Sequence, residues 1–106
     1  VELSEWHVWW KHRGARELRR LLLNSWDPIG VRDAPEAWDE YDGYMSPIVS
    51  LLEQDKSVRK LAKYLRHVRV DLMGVGPDKK TDLQAASEIH AWYQTAMKQA
   101  ATPSSN

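Results

Sequence analysis

Three groups of side chains in this sequence have the types and spacing to do chemistry. The first is an acidic and aromatic run, Trp38-Asp39-Glu40-Tyr41-Asp42, followed by Gly43-Tyr44. The second is a basic stretch, residues 56–70, with six bases and no acid. The third is the set of four histidines, His7, His12, His67 and His90. A metal centre needs histidines and carboxylates that converge from one helical face or from facing helices. His7 and His12 are five positions apart, and Glu88 precedes His90 by two rather than by the three of a Glu-x-x-His pair. Neither spacing asks for a metal. With no cysteine and no Gly-x-Ser-x-Gly, and no Ser or Thr beside an evident base, nucleophilic catalysis has no kit. Gly74-Val75-Gly76-Pro77 is too short for a phosphate-binding loop and follows a helical pattern rather than a strand. The acids of the central run adjoin one another on one element, with little to drive their pKa values apart. The sequence thus reads as non-enzymatic, with no cofactor and no metal.

Binding is the remaining class. Trp, Tyr and Arg dominate interface energetics. Trp38, Asp39, Glu40, Tyr41 and Asp42 together suit a basic protein partner, as in an immunity or antitoxin-type protein that neutralises a toxin. Electrostatic complementarity would chiefly speed such an association. The alternative is a nucleic-acid-associated helical protein using the basic helix 56–69, where Arg59, Lys63 and Arg66 share a face. Against it stands a formal net charge of zero, because nucleic-acid binders usually carry a basic footprint. A small enzyme of unknown class is the third reading.

These residues have to be positioned by helices. Leu18, Leu21, Leu22 and Ser25 share one face of a helix from Ala15 to Trp26, with arginines on the other. Asp27-Pro28-Ile29-Gly30 then has the composition of a type I turn, in which Pro presets φ and Asp bonds the following N–H groups. Trp26, Asp27, Pro28 and Gly30 are the structural marks of this corner. A second long helix is expected from about Glu40 to Gln54, initiated by Asp39, with Tyr41, Tyr44, Ile48, Leu51 and Leu52 inward. Pro47 should kink it against Gly43, or split it so that a second piece starts at a Ser46 cap. Ser57 caps a third helix to Met73, with Val58, Leu61, Leu65, Val68 and Leu72 as its buried stripe. Gly74 supplies the left-handed stop. Thr81 and Gln84 form a capping box for a fourth helix to about Gln99, with Leu83, Ala86, Ile89, Tyr93 and Ala96 inward. Trp6, Trp9 and Trp10 have helical spacing, with Gly14 as a break, and either cover the core or meet a partner.

The pair of segments WDPIGV and DEYDGY, with the later Met73-Gly74-Val75, resembles a group of small all-helical bacterial proteins of unknown function. The resemblance spans about residues 15–95. It implies an all-α fold, and it carries no catalytic residues to transfer.

With 106 residues the chain supports one modest core. We expect an all-α, small four-helix bundle with an additional Trp-rich N-terminal helix: one domain over 1–106, a Trp-rich extension at 1–14 and a frayed tail at 102–106. Hydrophobic residues at 42% and charged residues at 28% fit a folded globule rather than a disordered chain. Charge is segregated, with eight acids against Arg32 alone over residues 27–55. Packing of this acidic element beside the basic helix would neutralise both. No apolar run approaches the roughly 18 residues of a membrane span, and the composition reads as soluble and cytoplasmic.

Overall fold

The computed structural model describes residues 3–101, with side chains from 3 to 99, and the tail expected to fray lies outside the described residues. All regular structure among them is helical. The first rod joins α1 (Leu3–Trp9), a π-helical turn (Trp10–Gly14), α2 (Ala15–Leu21) and a second π turn (Leu22–Trp26). The expected break at Gly14 does not occur, and the backbone stays helical there (φ −58°, ψ −47°). Gly14 serves packing instead. A Cβ at this position would lie 2.8 Å from the rings of both Trp9 and Trp10.

The rod ends where the turn chemistry places it. Asp27 adopts a left-handed conformation (φ 39°, ψ 58°). Its N–H donates to the Leu22 carbonyl at 2.8 Å, and the Gly30 N–H donates to the Asp27 carbonyl at 3.2 Å. Gly30 itself has φ +69°, a region that glycine enters without the penalty a Cβ would bring.

The next helix differs from expectation. Asp39 initiates nothing. After short 3₁₀ turns at Pro35–Ala37 and Asp42–Tyr44, α3 spans only Met45–Glu53. Pro47 therefore falls in its first turn, where an N–H has no intrahelical acceptor, and the kink is avoided. Tyr44 occupies the cap position without a side-chain bond, so Ser46 does not cap either.

Ser57 does cap α4 (Val58–His67), accepting from the Lys60 N–H at 3.2 Å. A π turn (Val68–Leu72) extends this helix, closed by the Met73 N–H donating to the Val68 carbonyl at 2.9 Å. The extra residue in that turn rotates the stripe. Leu72, expected inside, is 56% exposed, and Arg69, one of the six bases of the stretch 56–70, is 5% exposed.

In α5 (Lys79–Ala101) the cap is Asp78 rather than Thr81. Asp78 accepts from the Thr81 N–H at 3.1 Å and the Thr81 hydroxyl at 2.8 Å. These bonds hold the Asp78 carboxyl below its ordinary pKa. The buried face of α5 runs through Asp82, Ala85, Ala86, Ile89 and Ala96, whereas Leu83, expected inside, is 43% exposed.

The core brings together Leu18 and Leu22 of the first rod, Ile48 and Leu52 of α3, Leu61 and Leu65 of α4, and Ala85, Ala86 and Ile89 of α5. Each fully buried Leu or Ile contributes about 1.5–3 kcal/mol relative to exposure. The small alanines let α4 lie close along α5, while the π turn ending the first rod packs on α5 from another side.

Candidate binding surfaces

The two halves of the central sequence motif meet in space. The Tyr41 hydroxyl donates to Asp27 Oδ1 at 2.8 Å and accepts from the Ile29 N–H at 3.1 Å. Asp27 also accepts from the N–H groups of Val31 at 2.8 Å and Arg32 at 3.1 Å. The Trp26 and Tyr41 rings lie 5.3 Å apart. Burial raises the Tyr41 hydroxyl well above its ordinary pKa, and the Asp27 carboxylate adds to this. Trp26, Asp27, Pro28 and Gly30 thus form a tied corner whose polar groups are used internally.

A second knot lies deeper. Asp82 Oδ1 accepts from Trp26 Nε1 at 2.9 Å and from Arg69 Nε at 3.0 Å. The side chains of Arg69 and Asp82 are only 6% and 3% exposed. Sequence reasoning did not find this pair. The available signal was phase: the α5 stripe, followed back from Ile89 through Ala86 and Ala85, arrives at Asp82, and a charge there needs a buried partner.

The five residues expected to face a partner separate. Tyr41 is 1% exposed and points inward. Asp42 is held by Arg19, whose Nε donates to Oδ1 at 3.0 Å and whose Nη2 bonds Oδ2. The Asp42 carboxylate holds the Arg19 guanidinium above its ordinary pKa. Trp38, Asp39 and Glu40 remain at the surface, with Trp38 43% exposed and its Nε1 donating to the Arg32 carbonyl at 2.7 Å.

No ion pair among the described residues joins the acidic element to the basic helix. Ion pairs among the described residues are Arg13–Glu17, Arg19–Asp42, His67–Asp71 and Arg69–Asp82. Arg59, Lys63 and Arg66 enter none of them. Instead they line one wall of a cleft of about 600 Å³ between α4 and α5. Lys79 and Leu83 stand on the other wall, with Ala62 and the edge of Asp82 completing it. Because Arg69 pairs with Asp82, the cleft presents four cations without ion pairs among the described residues, beside the apolar Ala62 and Leu83.

The N-terminal indoles are neither fully covered nor free. Trp6 and Trp10 stack at 5.7 Å, and Trp9 lies 5.8 Å from Trp92. Trp6 Nε1 donates to the Tyr93 hydroxyl at 3.1 Å, and Trp92 Nε1 to Glu17 Oε1 at 2.9 Å. The aromatic group packs against Trp92 and Tyr93 of α5.

The histidines do not assemble a reaction centre. His67 Nδ1 lies 2.9 Å from Asp71 Oδ2 at the surface, one turn away on the same helical stretch. His90 lines a cleft of about 540 Å³ with Asp55 and Lys98 and has no hydrogen bond among the described residues. No three histidines or carboxylates among the described residues group as metal ligands. No described helix is long and apolar enough to cross a membrane.

Comparison with known proteins finds no match among family models, curated proteins or solved structures. The fold and its surfaces therefore rest on this chain's own residues.

Proposed function

We propose that this protein is a non-catalytic binding module that receives an acidic, amphipathic segment of a partner protein in the cleft between α4 and α5. The observation that carries the reading is the row Arg59, Lys63 and Arg66. These three cations sit at helical spacing, without ion pairs among the described residues, and face Lys79 across the cleft. Leu83, 43% exposed, offers an apolar contact between the charges. A helix laid in such a groove matches both requirements, apolar anchors below and carboxylates above.

The immunity-type reading, with a basic toxin as partner, rests on Trp38, Asp39 and Glu40 alone, since Tyr41 and Asp42 are engaged internally. A basic partner approaching Trp38 would also meet Arg16, Arg19, Arg20 and Arg32, which line the same hollow. That repulsion is why we favour an acidic partner. Nucleic acid is the second reading, because the same α4 row can contact phosphates.

Titration with a designed acidic amphipathic peptide, its charge-neutral counterpart and a DNA duplex separates these readings. We expect the acidic peptide alone to bind. Reversing Arg59, Lys63 and Arg66 to Glu and, separately, Leu83→Asp should each abolish the binding. Duplex binding indifferent to Leu83→Asp would favour nucleic acid, and failure of every probe would refute the cleft as a recognition surface.

A further inference from the structure

The hollow beside Trp38 differs in chemistry from the α4–α5 cleft and stands independently of it. We infer that it is a binding site for a nucleoside phosphate, the base stacking on Trp38 and the phosphate held by arginines. The hollow measures about 390 Å³, within the roughly 300–1,000 Å³ of small-molecule sites. Arg16, Arg19 and Arg20 enter it from α2, Arg32 comes from the loop after the Asp27 turn, and Asn24 lies on its edge.

Each part has a defined task. The Trp38 ring is fixed through its Nε1–H bond to the Arg32 carbonyl and keeps 43% of its surface open. A half-open indole anchored by its N–H is a stacking platform, because every base presents a π face. Arg19 is committed to Asp42, and Asp39 lies near enough to act on its charge. Arg16, Arg20 and Arg32 make no side-chain hydrogen bond or ion pair among the described residues, although Arg16 also acts on the Glu17 charge, so the hollow has guanidinium groups to offer a phosphate. Guanidinium recognises phosphate oxygens in pairs and stacks on aromatic faces, so it serves both ends of such a ligand. The Asn24 amide carries a donor and an acceptor, the complement of a base edge. An acidic peptide would use the arginines and leave the indole and the amide without a role. A nucleoside phosphate uses all of them.

The test is calorimetric titration of the whole chain with adenosine 5′-monophosphate, adenosine, inorganic phosphate and a short single-stranded oligodeoxyadenylate. The monophosphate should bind more tightly than either adenosine or phosphate. Trp38→Ala should weaken the monophosphate by about tenfold, the loss of one stacked base, and leave phosphate unchanged. Arg20→Gln should weaken both. Both side chains are at the surface, and circular dichroism of each variant confirms that the helices are retained. Tighter binding of the oligonucleotide than of the monophosphate assigns the site to one unit of a strand, and the reverse assigns it to a free nucleotide. Equal binding of monophosphate and phosphate, no effect of Trp38→Ala, or no binding of any probe would overturn the proposal.

Discussion

Tryptophan is used in two ways at the two ends of the first rod. At the N-terminal end Trp6, Trp9 and Trp10 are half-buried against other rings, and Trp6 bonds a group at the rim, the Tyr93 hydroxyl. At the other end Trp26 is 4% exposed and donates to Asp82, a carboxylate that also balances Arg69. The residue type is the same, but the partner decides the consequence. Water can replace a rim acceptor at small loss. It has little access to Asp82, whose side chain is 3% exposed, so removing that carboxylate strands both the Trp26 N–H and the Arg69 guanidinium.

The largest effect follows from Asp82→Ala. It takes the hydrogen-bonded carboxylate from the buried Arg69 guanidinium, and we expect a loss of about 3–5 kcal/mol in urea unfolding. A loss no greater than that from Trp6→Phe would erase the distinction between the two ends. Gly14→Ala probes the rim more gently. Alanine favours helix by about 1 kcal/mol, but its Cβ would press on the Trp9 and Trp10 rings at 2.8 Å. Overpacking of about 1–3 kcal/mol should win, seen as a lower unfolding midpoint with disturbed tryptophan fluorescence. A gain in stability would show that the aromatic end repacks freely.

The smallest effect sharpens the comparison through pH. The hydrogen bond from Trp92 and, secondarily, the Arg13 guanidinium hold Glu17 below its ordinary pKa of 4.5. A carboxyl with a depressed folded-state pKa stabilises the fold above its unfolded pKa, and that contribution is lost as pH falls through the folded value. Trp92→Phe should therefore lose less stability than the parent when acidified below about pH 4.5. Because Glu17 is partly solvated, the difference should be modest. Parallel acid profiles would show that this rim bond does nothing for stability.

Much of the framework was legible. Leu18 and Leu22, then Leu61 and Leu65, announce their helices by spacing, and Ser57 and Asp27 act at the ends where their side chains can bond free N–H groups. The π turns were not legible. One added residue changes which side chains face inward without leaving a gap in the apolar pattern, and so Arg69 and Leu72 exchange places. Asp82 was missed for a related reason: Leu83 is the more apolar neighbour, while phase favours Asp82. The acidic run invited a local capping explanation, and nothing nearby in sequence indicates that Arg19, 23 positions earlier, claims Asp42. Surface chemistry was half legible. The basic row on α4 was visible, but its wall opposite, Lys79 and Leu83, needed the packing of α5.

The Arg69–Asp82 contact is one-sided, with Arg69 Nη2 and Asp82 Oδ2 lacking hydrogen-bond partners among the described residues. Neither helix can conceal its own charge until the other arrives. Partly assembled states with only one of them docked are correspondingly disfavoured, and the last helix should lock into place together with the segment carrying Arg69, in a single concerted step of folding.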